Sequence, residues 1–209
     1  MAEVAGLPST VVLASRNPGK VAELRRILSV IHPDLQVLGS DSFADLPEVP
    51  ETGETFAENA ALKAEAVAAH TGCVAIADDS GLAVDALNGM PGVLSARWAG
   101  RHGDDAANMR LVLDQMVDIP DERRTAAFRC AAAACRPGES SRLEIREGEI
   151  RGHLIREPRG LHGFGYDPIF VPVGFQTTTA EMAPEDKDRI SHRGRALRDL
   201  AAVIAPWWD

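Results

Sequence analysis

Two aspartates stand side by side at Asp78-Asp79, preceded by the apolar run Cys73-Val74-Ala75-Ile76-Ala77 and followed by Ser80-Gly81-Leu82. Adjacent carboxylates repel, so placing both beside a buried strand is unfavourable unless a cation, hydrogen bonds or water offset the charge. Oxygen donors of this kind suit Mg²⁺, which takes one or two protein carboxylates and fills its other positions with water and substrate phosphates. The same two residues would equally make an Asx turn and a cap for the next element of the chain. The segment by itself leaves metal site and turn evenly matched.

A second stretch with chemical potential is Ser15-Arg16-Asn17-Pro18-Gly19-Lys20. Asn17 as N-cap and Pro18 in the first helical position make an ordinary helix start. Gly19 and Lys20 do not fit that reading, because glycine weakens a first turn and the macrodipole disfavours a cation there. A bound phosphate accounts for both: glycine lets it approach the backbone N–H groups and lysine neutralises it. The Walker pattern is absent, since Ala14 stands where its first glycine would be and Val21 follows the lysine.

Three further stretches are weaker alone. Glu48, Glu51 and Glu54 fall in a proline-punctuated acidic loop; such a charge run is usually solvated, the default for Glu48 and Glu54. Asn59 and Lys63 share a helix face with Phe56, and the lysine either points at an acidic or phosphate-bearing site or snorkels to solvent. Gly160-Leu161-His162-Gly163-Phe164-Gly165-Tyr166-Asp167 departs from GxGxxG and precedes a strand rather than following one. Its glycines suggest a backbone that closes on something flat. Ser191-His192-Arg193-Gly194-Arg195, with Lys187 just upstream, clusters cations at a helix start, where an anionic or carbonyl-rich ligand would offset the dipole.

The elements that must position these groups can be read from periodicity. Residues 10–14 read as a first strand, and Val21, Leu24, Ile27, Leu28 and Ile31 give the stripe of a helix after it. Gln36-Val37-Leu38 is a short strand. Thr55 with Glu58 has the capping-box form and opens an alanine-rich, well-buried helix to about His70. Residues 73–77 form a buried strand that empties into the aspartates, at the strand end where open α/β sheets collect ligands. Residues 104–117 resume helical spacing, 125–136 and 143–155 read as the arms of a hairpin, and 168–171 as a strand. The last section, 184–208, is mostly helical, with Leu197, Leu200, Ala201 and Ile204 as its apolar stripe.

With 209 residues of ordinary composition the chain can bury a full core as one large domain or two lobes. Its 22 basic and 31 acidic residues give a net charge of −9, which argues against a nucleic-acid or anionic-membrane surface. Any anionic ligand is then held by a local positive cluster. Three cysteines without zinc-type spacing fit a reducing compartment, and no leader pattern or spanning apolar run is present, so the cytoplasm is expected.

Together, residues 15–20, Glu51-Thr52-Gly53 to Lys63, Ala77 to Gly100, Gly163 to Pro168 and Ser191 to Leu197 resemble the inosine triphosphate pyrophosphatase family, house-cleaning enzymes that hydrolyse non-standard purine nucleoside triphosphates. Ser15 stands where many relatives have threonine. The resemblance implies a homodimer of α/β subunits, each a single domain over 1–209 with an elongated mixed sheet flanked by helices and two lobes enclosing a nucleotide-binding groove. It also implies Mg²⁺-dependent cleavage of ITP, dITP or XTP between the α- and β-phosphates. Carried onto this sequence, Ser15, Arg16, Asn17, Pro18, Gly19 and Lys20 would hold the triphosphate, Asp79 would be general base and metal ligand, and Ser80 would touch substrate. Phe164, Gly165, Tyr166, Asp167, Lys187, His192 and Arg193 would line the nucleoside end. Glu51 would be the second metal ligand, with Asp78 and Lys63 assisting.

Hypoxanthine and xanthine present an acceptor at C6 where adenine presents a donor. Donors from Lys187, His192 or Arg193 would be left unpaired by adenine, a penalty that reaches about 10⁴–10⁵ in discrimination. The runner-up is a Maf-like pyrophosphatase for pyrimidine or modified nucleotides, and a nucleotide-binding sensor without turnover is the alternative from another class. The retained carboxylates count against a pure anion binder.

Overall fold

The computed structural model describes residues 10–15, 18–31, 33–43, 45–138 and 142–208, without the side chains of Pro18, Glu23, Val30 and Ile31. Among the described residues six strands form one mixed sheet: β1 (Thr10–Leu13), β2 (Gln36–Gly39), β3 (Val74–Val84), β4 (Thr125–Arg136), β5 (Arg142–Leu154) and β6 (Phe170–Pro172), in the order β2-β1-β3-β4-β5-β6. The helices are α1 (Pro18–Ile31), α2 (Phe56–Thr71), α3 (Asp105–Gln115), α4 (Pro184–Ile190) and α5 (His192–Ile204). β1 runs parallel to both β2 and β3, whereas β6 is antiparallel to β5. The chain divides into two compact units, Met1–Asp79 with Ala131–Glu147 and Arg193–Asp209, and Ser80–Cys130 with Gly148–His192.

In the first unit, β1 is buried along its whole length, as a parallel strand covered on both faces should be. Val12 packs with Ala75 and Ala77 of β3, Ala131 and Ala133 of β4, and the α2 residues Ala60, Ala64, Val67 and Ala68. Small side chains let this helix lie close to the sheet. Its ends are set locally: the Thr55 hydroxyl accepts from the Glu58 N–H, Glu58 returns to the backbone, and Gly72 closes the helix with φ 68°. An N-cap of this kind contributes about 1 kcal/mol. The alanine content predicts a well-buried helix; one face is buried, while Glu58, Leu62, Glu65, Ala69 and His70 are exposed.

In the second unit, the core joins Leu82 and Val84 of β3, Val112 and Met116, Ala126 and Phe128 of β4, Ile150 and Leu154 of β5, and Tyr166, Ile169 and Phe170. Arg124 is fully buried there and donates to the carbonyls of Met116, Leu154 and Ile155, tying the end of α3 to the end of β5.

Three expected boundaries are corrected. β3 does not end at Ala77 but continues to Val84, because Leu82-Ala83-Val84 is a second apolar run that the core buries. The final helical section is broken at Ser191, whose extended backbone (φ −64°, ψ 152°) separates α4 from α5. Residues 167–169 form a 3-10 turn, so β6 begins at Phe170.

Candidate active site

The extension of β3 changes the meaning of the paired aspartates. They lie inside the strand, and successive side chains of a strand point to opposite faces. The end of β1 leaves them just beyond its pairing with β3. Leu13 is opposite Ile76, the Ala14 N–H donates to the Ile76 carbonyl at 2.7 Å, and the β1 pairing stops there. Only Ala77 separates that point from Asp78 and Asp79.

Asp78 is 3% exposed and faces α1 and α5. Lys20 Nζ donates to its Oδ2 at 2.9 Å and Arg193 Nε donates to the same oxygen at 3.0 Å. Burial pushes the Asp78 carboxyl up, but Lys20, Arg193 and Lys63 overcome it and hold the group well below the usual carboxylate range. Arg193, itself 4% exposed, thus shares the Asp78 carboxylate oxygen with Lys20.

Asp79 faces α2. Asn59 Nδ2 donates to its Oδ2 at 3.1 Å, and Lys63 Nζ donates to its Oδ1 at 3.3 Å and to Glu51 Oε1 at 2.9 Å. Lys63 therefore points into the acidic site, with its side chain 13% exposed, and does not snorkel. Burial pushes the Asp79 carboxyl up and Glu51 adds to the shift, against Lys63 and Asn59. Burial lowers the Lys63 pKa, yet Asp79, Asp78 and Glu51 outweigh it and the net shift is upward.

Among the described residues no three His, Cys, Asp or Glu side chains form a metal cage. The donors present fit a hard divalent cation, because two carboxylates, Asp79 and Glu51, already converge on one positive charge. Ser15 is half-buried after β1, its N–H donating to the Leu13 carbonyl, and Gly19 and Lys20 lie in the first turn of α1. Arg16 and Asn17 lie outside the described residues, as does the side chain of Pro18. Ser80 is half-buried in β3.

The second unit holds the remaining expected residues. Asp167 is 3% exposed and accepts from the Phe164 N–H (2.9 Å), the Thr179 hydroxyl (2.8 Å) and Lys187 Nζ of α4. Gly163 has φ +78° and a Cβ there would land on the Asp167 carboxylate, so only glycine fits. Gly165 N–H donates to Asp105 at 2.8 Å. Phe164 is 42% exposed, with Lys187 Nζ 5.2 Å from its ring centroid. Tyr166 is not a second open ring: it is 4% exposed and its hydroxyl donates to the Ser95 carbonyl at 2.8 Å. His192 is buried and stacks on Phe128, with centroids 5.0 Å apart and planes at 11°.

Sequence reasoning placed Asn59 and Lys63 on one face but gave the amide no role. An amide in an alanine-rich helix, one turn before a buried lysine, was the available signal. Asp105 and Thr179, which position the glycine-rich loop, carry no comparable mark.

A dITP/XTP pyrophosphatase of Streptomyces coelicolor is 53% identical over 193 residues, covering 92% of this chain and 96% of that protein. The crystal structure of a nucleoside-triphosphatase/dITP/XTP pyrophosphatase from Mycobacterium abscessus aligns with a TM-score of 0.74 at 53% identity, covering 93% of this chain and 98% of that one. A HAM1 protein from Coxiella burnetii gives a TM-score of 0.84 at 42% identity, covering 94% and 98%. The Ham1 family model matches residues 11–203, a span that takes in all of the second unit, most of the first and every candidate site residue named above, and the chain belongs to the Ham1 family.

Proposed function

We propose that the protein hydrolyses the noncanonical purine nucleoside triphosphates ITP, dITP and XTP to the monophosphate and pyrophosphate, with Mg²⁺ as cofactor. The observation that carries this reading is the convergence of Asp79 and Glu51 on Lys63 beside the phosphate-loop residue Lys20 and its partner Asp78. Relatives that bear the name dITP/XTP pyrophosphatase support it.

When bound, Mg²⁺ supplies charge neutralisation at the phosphate oxygens and acidifies bound water. Asp79 and Glu51 are the residues that would hold it. The bond broken joins the α-phosphorus to the oxygen that leaves with pyrophosphate. Water adds its oxygen to the α-phosphorus, and its proton passes to Asp79, whose raised pKa suits a proton acceptor; such general-base help is worth about 10²–10⁴ in rate. Lys20 and Lys63 stabilise the charge that develops on the leaving pyrophosphate. Ser15, Arg16, Asn17, Pro18 and Gly19 bind triphosphate oxygens, and Ser80 touches the same substrate.

At the base, Phe164 offers an open ring for stacking and Lys187 a donor for the C6 carbonyl, while Gly165, Tyr166 and Asp167 shape the loop. Given its burial, Tyr166 contributes through its backbone and its hold on Ser95. His192 and Arg193 complete the set, Arg193 from its place on Asp78. We treat the two units as lobes of one functional domain, because the family match runs through both. We further propose a homodimer in the cytoplasm without nucleic-acid or membrane partners; the net charge of −9 disfavours a nucleic-acid or anionic-membrane surface.

Pyrophosphate release from ITP, XTP, dITP, GTP, ATP and dTTP, each with Mg²⁺ and with excess EDTA, tests the reading. Metal-dependent release confined largely to ITP, dITP and XTP is expected. Release favouring dTTP, or none from any substrate, overturns it.

A further inference from the structure

Asn59 is fully buried on α2, in a helix face otherwise made of alanine and valine. Both ends of its amide are used. Oδ1 accepts from the Gly53 N–H at 2.7 Å, and Nδ2 donates to Asp79 Oδ2 at 3.1 Å. The orientation of the amide is dictated by its partners, because a backbone N–H only donates and a carboxylate only accepts. Few other side chains of this size offer a donor and an acceptor on separate atoms.

Gly53 is two residues from Glu51, so the amide connects the loop that carries one proposed metal carboxylate to the side chain that supplies the other. The approach is close: a Cβ on Gly53 would lie 2.7 Å from the Glu58 Cβ and 2.8 Å from Asn59 Oδ1. One turn later, Lys63 makes the parallel connection with charge, bonding Asp79 through Oδ1 and Glu51 through Oε1. The two differ in one respect. Lys63 puts a positive charge on the oxygens of both carboxylates, whereas Asn59 is neutral and uses only the other oxygen of Asp79. Its contacts can therefore persist when the charge between the carboxylates changes.

We propose that Asn59 is a positioning residue for the divalent cation, holding Asp79 and the Glu51 loop at the separation that a magnesium ion accepts. This rests on the proposed metal-dependent function but is testable apart from turnover. Partners that orient metal ligands in this way are typically worth about 10–100-fold in metal affinity.

The test is a Mn²⁺ titration of the nucleotide-free protein followed by electron paramagnetic resonance, together with the Mg²⁺ dependence of pyrophosphate release from XTP. In Asn59→Ala the dissociation constant for Mn²⁺ and the half-activating Mg²⁺ concentration should each rise about tenfold or more. KM for XTP at saturating Mg²⁺ should change much less. Asn59→Ser, whose hydroxyl can still serve one partner, should fall between wild type and Asn59→Ala and guards against a variant that fails to fold. A purely structural role would lower the melting temperature of the metal-free protein and leave both metal constants unchanged, which overturns the inference, as does a wild type that binds no Mn²⁺. A wild type that releases no pyrophosphate but whose Mn²⁺ affinity drops in Asn59→Ala removes the functional reading and keeps this one.

Discussion

The two faces of β3 carry opposite charge problems. On the side of α1 and α5, the described contacts set one carboxylate, Asp78, against two cations, Lys20 and Arg193. On the side of α2, they set two carboxylates, Asp79 and Glu51, against one cation, Lys63. The first arrangement favours an additional anion and the second an additional cation. A neighbouring pair of identical residues thus meets two different charge balances, because the pleat of a single strand turns them apart. The Asp167 network of the second unit differs from both: a backbone N–H, a hydroxyl and one lysine satisfy a single carboxylate. That is a centre built to hold a loop still.

The sharpest way to break the contrast is at Asp79. Asp79→Asn keeps the shape and removes the proton acceptor, so turnover should fall by about 10²–10⁴ with the urea midpoint close to wild type. Near-normal turnover in this variant would sink the catalytic assignment.

Asp78→Asn should do the reverse, with stability suffering first. It leaves two cations without their buried partner, and breaking a buried pair in this way costs about 3–5 kcal/mol, readable from denaturant unfolding. The pH dependence has a definite sign. The folded Asp78 carboxyl is held below its ordinary value, so its stabilisation is complete above the unfolded pKa of about 3.9 and is lost as pH falls below that. The variant should therefore lose less stability than wild type on acidification from pH 5 downwards. An acid limb of unchanged slope would remove Asp78 from this role.

The smallest effect is expected at Lys187. Asp167 retains the Phe164 N–H and the Thr179 hydroxyl in Lys187→Met, so the loop should stay in place while one donor to the base is lost. Preference for XTP over ATP should drop by about tenfold, the share of one hydrogen bond of about 1.5 kcal/mol. An unchanged substrate ratio with lowered stability would make Lys187 a strut for Asp167 and nothing more.

Much of this protein could be read without coordinates. Period-two and period-3.6 patterns located the strands and helices, the Thr55–Glu58 capping box marked the start of α2, and the Gly19-Lys20 anomaly raised the proposal of a phosphate site. These are local signals, set by residues within a few positions of one another, and local spacing survives in a linear string. Partner choice does not. Arg193 meets Asp78 across 115 positions and Asn59 meets Asp79 across 20. Neither contact can be read from periodicity, since each depends on which helix packs on which face of β3. The length of β3 is hidden for the same reason: Asp78-Asp79 reads as a turn and cap until packing buries the apolar residues Leu82, Ala83 and Val84 beyond it. Tyr166 likewise resembles Phe164 in the chain, and the core around Ser95 makes one a buried anchor while the other ring stays open. Sequence determined which groups were present and what chemistry they could do; tertiary packing decided which of them met, because desolvation and charge pairing act on neighbours in space.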